Sequence, residues 1–360
     1  MKKGMMDKTL DFEQGAYIII MYSFRNDYSE GAAPAVMQAL FDTNLNQTVG
    51  YGGDDYCQQA ADKLRQVCHA PDAQVHFTVG GTQTNVLIIH SLLRSFEAVI
   101  SAASGHIANH ETGGVEAKGH KVCTIETPDG KLTPTLVEAV LAGHSSEHMV
   151  APKMVYISNS TELGTIYTKE ELQGLRACCD AHGLYLFADG ARVASAIAAS
   201  DVTLVDMAEL CHVFTFGGTK NGLLFGEAVV FAPDVDATHF RYFMKQHGAL
   251  LAKGRLLGVQ FLALLEDDLW LKLATHANAQ SARMREGLDA LHCEYFVDSP
   301  TNQSFVMLEN KVIEALKDRG YEFEIEGLEG ETVTCIRIVT SWATPQEAVQ
   351  QFLADLGTLL

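Results

Sequence analysis

Seven short runs rich in β-branched and aromatic residues, at 75–79, 98–101, 122–125, 154–158, 184–188, 213–216 and 228–232, alternate with longer stretches of helical character. Strands that recur between amphipathic helices need both faces of their sheet covered, which is what crossover helices do for a parallel sheet. One helix is spelled out at both ends. Thr168 and Glu171 have capping-box spacing, and Gly183 stands just past His182, where a left-handed residue closes a helix. The fold class expected is α/β, with a large domain built on a mainly parallel seven-stranded sheet flanked by helices.

After Gly254 the pattern changes. A long helical stretch runs towards Leu291, followed by a strand at 304–308, a helix to Arg319, a strand at 335–339 and a last helix from Pro345. This tail predicts a smaller C-terminal α+β domain over 276–360 beside a large domain over 21–275, because 360 residues exceed what one core usually serves. No repeat or low-complexity linker separates the two. They are expected to pack closely, with a ligand in the cleft between them.

Composition removes several classes of function. Hydrophobic residues at 47% and charged residues at 20% describe a chain folded throughout. A formal net charge of -19 would repel a phosphate backbone, so nucleic acid is not an expected partner. It leaves room for a small anion, since a helix N-terminus and a few arginines can build a local site in an acidic protein. Near the N-terminus, Asp7, Asp11 and Glu13 interrupt any signal-peptide design, and nothing reads as a membrane span. The eight cysteines include the neighbours Cys178 and Cys179 but no C-x-x-C, which fits reduced thiols in a cytoplasmic protein.

Ligands of a parallel sheet gather at the carboxyl ends of its strands, so the informative residues follow the apolar runs. Val79 leads into Gly80-Gly81-Thr82-Gln83-Thr84 at a helix start, where exposed N–H groups and the helix dipole suit a phosphate. A plain strand-to-helix turn would read the same way, and the Walker pattern is absent. The run at 184–188 ends in Asp189-Gly190-Ala191-Arg192. A carboxylate at the end of a buried strand needs a partner, either a pyridinium N–H or a neighbouring Arg or helix N-terminus. The run at 213–216 leads into Gly217-Gly218-Thr219-Lys220, where a lysine held in a cleft with a lowered pKa is suited to form a Schiff base, unless it is a solvated loop lysine. His106 and His110 have helical spacing, but H-E-x-x-H is absent and no metal site is expected.

These words in this order resemble the low-specificity threonine aldolases, within the β-eliminating lyase group of the aspartate-aminotransferase fold. The resemblance rests on Gly81-Thr82-Gln83, on His106 before Glu111-Thr112-Gly113-Gly114, on Asp189-Gly190-Ala191-Arg192, on Thr219-Lys220 and on Arg337-Ile338-Val339-Thr340. It begins near Phe24-Arg25-Asn26-Asp27 and continues to the C-terminus, so residues 1–20 are expected to lie outside the catalytic fold.

The resemblance implies pyridoxal 5'-phosphate as cofactor, with Lys220 holding its aldehyde and Asp189 keeping its pyridine nitrogen protonated. Gly81 and Thr82 would bind the phosphate, Thr219 would also contact the cofactor, and His106 would stack on the ring; Lys253 and Arg255 would reach the phosphate across a subunit interface, unless they are a solvated helix turn. Arg192 and Arg337 would clamp the substrate carboxylate, with Asn26 and Tyr51 near the substrate. The implied reaction cleaves L-threonine, L-allo-threonine or a related β-hydroxy-α-amino acid to glycine and an aldehyde, in a homo-oligomer, dimer or tetramer. Two positions depart from the family: Glu162, in Ser160-Thr161-Glu162-Leu163-Gly164, replaces a second histidine, and Asn26 replaces a serine. Glu162 is then a candidate base for the β-hydroxyl proton, or only orients a water or His106. The scaffold alone does not choose which bond breaks, so another β-eliminating lyase, a racemase or an aminotransferase is the alternative. From a different class, a binding or redox protein using its cysteines would need no cofactor.

Overall fold

The computed structural model describes residues 22–329 and 332–360, and before them only the backbone pairing of β1 (Lys8–Leu10) with β2 (Tyr17–Ile19). The expectation for residues 1–20 falls outside the fully described residues. Seven strands make the large sheet: β3 (Gln74–Thr78), β4 (Glu97–Ala102), β5 (Val122–Ile125), β6 (Ala151–Ser158), β7 (Tyr185–Asp189), β8 (Val213–Gly217) and β9 (Glu227–Phe231). Their order is β3-β9-β8-β7-β6-β4-β5. Only β9 runs against its neighbours, antiparallel to both β3 and β8.

Both faces of this sheet are buried, as the apolar runs require. Val155, Ile157, Leu186 and Phe214 join one core, while Met154, Tyr156, Phe187 and Val213 alternate into the other. Each such side chain contributes roughly 1.5–3 kcal/mol relative to exposure. A one-residue slip would exchange the two faces, so packing holds the register. The helix Lys169–His182 has the expected capping box, and Gly183 closes it at φ 64°.

The tail differs from the expectation in two ways. Its sheet has four antiparallel strands, β10 (Glu294–Val297), β11 (Gln303–Glu309), β12 (Glu324–Glu329) and β13 (Val333–Val339), in the order β10-β11-β13-β12. The two unforeseen strands, β10 and β12, are the edges. Their glutamates break up any apolar run, and β10 is nowhere fully buried, so neither has the signature of a core strand. The long helix expected after Gly254 is also broken, into Arg255–Leu265 and Leu269–Ala290. Asp267 and Asp268 take left-handed conformations at φ 49° and 53°, which Asp tolerates better than most residues.

The helix Leu269–Ala290 spans both units, with Trp270 and Ala274 in a core of the large sheet and Met284 and Leu288 in the core of the small one. Phe24 joins the small core and exchanges backbone bonds with Glu322 and Val339. We propose that the boundary near residue 275 divides the units, with the helix as their shared wall.

Close backbone contact seats the helix Arg255–Leu265 on the helix Asp55–Val67. A Cβ added at Gly258 would lie 2.4 Å from the backbone N of Cys57. Gly258→Ala should therefore force the two helices apart and lower stability by roughly 1–3 kcal/mol, read as a fall in the urea midpoint. An unchanged midpoint would show that the helices separate freely.

Candidate active site

The residues picked out along the sequence converge because β7 and β8 end side by side. Gly190 and Gly217 allow it: a Cβ at Gly190 would lie 1.8 Å from the Thr215 carbonyl oxygen, and one at Gly217 2.6 Å from that of Ala191. The Gly217 N–H donates to the Gly190 carbonyl at 3.0 Å. These approaches bring Asp189, Arg192, Thr219 and Lys220 to one edge, where they line a cavity of about 310 Å³ together with Gly81 and Thr82. His106 and Glu162 complete its wall.

Asp189 lies at the cavity floor and is 6% exposed. Its Oδ2 accepts hydrogen bonds from Asn85 Nδ2 and from the Tyr156 hydroxyl, both at 2.8 Å, and its Oδ1 accepts from the Ala191 N–H at 2.9 Å. A carboxylate offers about four acceptor sites, so Oδ1 keeps a lone pair for a further donor. Asn85 also donates to Glu111 Oε1 at 2.8 Å, and the same oxygen bonds His106 Nδ1 at 2.8 Å. One amide thus links the Asp189 carboxylate to the His106 ring. Burial depresses the His106 pKa, but the Glu111 bond and the Asp189 charge outweigh it and the net shift is upward.

Lys220 is held in a turn tied by Asn221 Nδ2 to the Trp270 carbonyl at 3.0 Å. Its Nζ has no hydrogen-bond partner among the described residues and lies 6.0 Å from the Tyr28 ring centroid. Burial first, and then the Arg192 charge, hold its pKa below the ordinary lysine value, which favours the free amine. Gly80 and Gly81 open the helix Gly81–Leu92, and a Cβ on either would meet nothing within 4 Å. That open cradle at a helix N-terminus, the spare lone pair of Asp189 and the unpartnered amine of Lys220 fit the phosphate, ring nitrogen and aldehyde of pyridoxal phosphate.

Glu162 Oε1 accepts the Ser158 hydroxyl at 2.6 Å and the His106 N–H at 2.9 Å. Its Oε2 has no partner among the described residues. Burial raises its pKa, the Ser158 and backbone bonds lower it, the Asp189 charge raises it again, and the net shift is upward.

Arg192 is fixed by Asp27, which accepts Nε at 2.7 Å and Nη2 at 3.0 Å in a bidentate pair. Asp27, 1% exposed, also accepts Asn302 Nδ2 at 2.9 Å. Arg337 Nη1 meets Glu326 at 2.8 Å while its buried Nε has no partner.

Five expected residues do not line this cavity, among them Arg255, whose Nη2 donates to the Thr43 carbonyl at 2.7 Å. Asn26 turns its Oδ1 back to the Tyr28 N–H and the Ser29 hydroxyl, and Arg337 pairs with Glu326. Tyr51 and Lys253 lie apart from it, both exposed. Sequence reasoning missed Asn85, Tyr156, Ser158, Asp27 and Glu227. Asn85 is the detectable case, because it lies one helical turn beyond Gly81 on the helix that opens at the cavity. All eight cysteines are free, seven of them buried, and burial pushes the thiols of Cys57, Cys68 and Cys211 up to about 12, which leaves them poor nucleophiles.

Comparison with known proteins gives the family. Residues 23–311 match the Beta-eliminating lyase family. The chain is 32% identical over 342 residues to the low specificity L-threonine aldolase of Pseudomonas aeruginosa, covering 94% of this chain and 97% of that one. It is 33% identical over 344 residues to that of a Pseudomonas sp., with shares of 94% and 97%. A threonine aldolase structure from Leishmania major superposes with a TM-score of 0.92 at 44% identity, covering 94% of this chain and 99% of that one. An aspartate aminotransferase of Thermus thermophilus, 16% identical with a TM-score of 0.70 over 95% of this chain and 92% of that one, shares the fold alone.

The Asp27–Arg192 pair generates a stability prediction. Burial alone would raise the Asp27 carboxyl, but the charges of Arg192 and Lys220 and the bonds from Arg192 and Asn302 hold it below its ordinary value. A depressed pKa contributes stability that is present above the unfolded value, about 3.9, and is lost as pH falls through the folded one. Asp27→Asn should cost about 3–5 kcal/mol at neutral pH by unpairing a buried guanidinium. The variant's unfolding free energy should also decline less steeply than the wild type's below about pH 3.9. Equal denaturation midpoints at neutral pH would show that the pair contributes nothing.

Proposed function

The chain belongs to the Beta-eliminating lyase family, among the low-specificity L-threonine aldolases, and we propose that it cleaves L-threonine, L-allo-threonine and related β-hydroxy-α-amino acids to glycine and an aldehyde. It is a pyridoxal-phosphate-dependent lyase. The observation that carries the assignment of roles is the convergence of Lys220, Asp189 and the Gly81–Thr82 turn on one cavity.

When bound, pyridoxal phosphate supplies a ring that draws electrons from the substrate's Cα. Lys220 offers its free amine to carry the group. Asp189 Oδ1 would hold the proton of the ring nitrogen, and the N–H groups opening the helix Gly81–Leu92, with the Thr82 hydroxyl, would bind the phosphate. His106, tied by Glu111, offers its ring face to stack on the cofactor. Arg192, aimed by Asp27, holds the substrate carboxylate; Arg337 and Asn26, which do not line the cavity, would have to turn towards it to take the part the resemblance implies. Holding the carboxylate fixes which Cα bond stands ready to break. Glu162 Oε2 takes the β-hydroxyl proton as the Cα–Cβ bond breaks and the aldehyde leaves.

Tyr51 and Lys253 act in this reading from a second copy of the chain, in a homo-oligomer, a dimer or tetramer. Support comes from the exposed apolar residues on the stretch of chain before Tyr51, where Phe41 is 78% and Leu45 90% exposed. No helix among the described residues is long and apolar enough to cross a membrane. The compartment we propose is the cytoplasm.

Incubation of the purified enzyme with threonine, allo-threonine or phenylserine should yield glycine and an aldehyde. Pyruvate with ammonia, or an inverted amino acid, would assign another reaction to the same site. Lys220→Ala should abolish turnover and the borohydride-reducible attachment of the cofactor; an adduct recovered on Lys153 or Lys253 would overturn that role.

Glu162→Gln keeps the shape of the side chain and removes its basicity. Its kcat should fall by about 10²-fold or more with cofactor binding retained. Because the base must be ionised and its pKa is raised, wild-type kcat should fall as pH drops through that raised value, and the variant should lack this acidic limb. Near-wild-type cleavage by Glu162→Gln would move the base to His106 or to water.

A further inference from the structure

Glu227 is absent from the roles assigned above, yet it stands at the centre of the cofactor edge. It is the first residue of β9, and because β9 runs antiparallel its start lies level with the ends of its two neighbours. Glu227 pairs with Thr78 in β3 and with Gly217 in β8. Thr78 leads into the Gly80–Thr82 turn, and Gly217 leads into Thr219 and Lys220. The Glu227 carboxyl therefore lines the cavity between the phosphate cradle and the lysine, 4% exposed.

Its two oxygens are in different situations. Oε1 accepts the Thr219 hydroxyl at 2.9 Å, and that hydroxyl in turn accepts the Gly226 N–H at 3.0 Å. Oε2 is buried with no partner. Burial, reinforced by the Asp189 charge and opposed by Thr219, Lys220 and the Gly218 backbone, raises the acid to about 8. At neutral pH Glu227 is then a neutral acid whose O–H has nothing in the protein to donate to.

From this placement we infer that Glu227 is a further cofactor-binding residue, donating the Oε2 proton to a phosphate oxygen held at the Gly80–Thr82 turn. The inference rests on the reading that this cavity binds pyridoxal phosphate. An ionised carboxylate there would repel the phosphate, whereas a carboxylic acid makes a short, charge-assisted bond to it. The charged groups facing Glu227 are Asp189 at the end of β7 and Lys220 after β8, with His106, Glu162 and Arg192 further along the wall. From the helix Gly81–Leu92, the uncharged Gly81 and Thr82 line the same cavity. Below about pH 8 the bond forms with the proton already in place. Above it, the apoenzyme has lost that proton to solvent and must take one up when the phosphate arrives, so affinity falls about tenfold per pH unit.

The test uses apoenzyme and pyridoxamine 5'-phosphate, which has the ring and phosphate but no aldehyde, so Lys220 chemistry does not enter. Calorimetric titration in two buffers of different ionisation heat, from about pH 7 to about pH 9.5, reads affinity and proton uptake together. This range lies above the phosphate's own second ionisation, near about 6. Wild type should take up close to one proton per site more than Glu227→Gln at the upper end, and should weaken about tenfold relative to that variant between about pH 7 and 9. Glu227→Gln, whose amide can still accept from Thr219 and donate to phosphate, should bind like wild type near pH 7 and keep only the proton uptake that belongs to the ligand's ring nitrogen. Wild type with no proton uptake, or a variant with the wild-type profile, would overturn the inference. So would a variant that changes only the attachment of pyridoxal phosphate, because Glu227 would then serve Lys220 alone. Wild-type apoenzyme that binds neither compound would instead defeat the reading of the cavity itself.

Discussion

The buried carboxylate of Asp189 is the group around which this structure is arranged. An ion at the end of a central strand, 6% exposed, persists only if its lone pairs are satisfied. Asn85 from a helix, Tyr156 from the neighbouring strand and the Ala191 N–H supply three bonds. Each donor then constrains something else. Asn85 is shared with Glu111 and so aims His106, while the turn that presents the Ala191 N–H continues directly into Arg192.

Charge is laid out along the cavity so that each group is tied to another. Arg192 would be a costly buried cation without Asp27, and Asp27 a costly buried anion without Arg192 and Asn302. The same triad joins three parts of the chain. Asp27 lies on the segment whose Phe24 packs into the small core, Arg192 follows β7 of the large sheet, and Asn302 precedes the small-domain strand β11. The wall of the cleft is thus a hydrogen-bonded junction, which is how two separate cores can present one rigid surface.

What remains unpaired inside this arrangement is as informative as what is paired. The Lys220 amine, Glu162 Oε2 and Glu227 Oε2 line the cavity with no partner among the described residues. Unsatisfied groups that cluster in one cleft, with pKa values displaced towards neutrality, mark a place built to bind and to move protons.

Much of this was legible along the chain. The apolar runs are short and rich in β-branched and aromatic residues, as strands buried on both faces are, and Gly190 and Gly217 stand at the ends of β7 and β8 because the backbones there come too close for a side chain. The strand-end rule located Asp189, Lys220 and the glycine turn, since parallel strands end on one edge. It passed over Glu227, which precedes its strand, because antiparallel pairing alone brings a strand's first residue to that edge. Asp27, Tyr156 and Ser158 carry no local signature either, as an acid in a loop or a hydroxyl in a strand is ordinary until its partner is known. Sequence by itself determined which residues could do chemistry and where the chain would turn. Tertiary structure decided which of them meet, because a hydrogen bond between residues a hundred positions apart depends on strand order and direction, which no local pattern encodes.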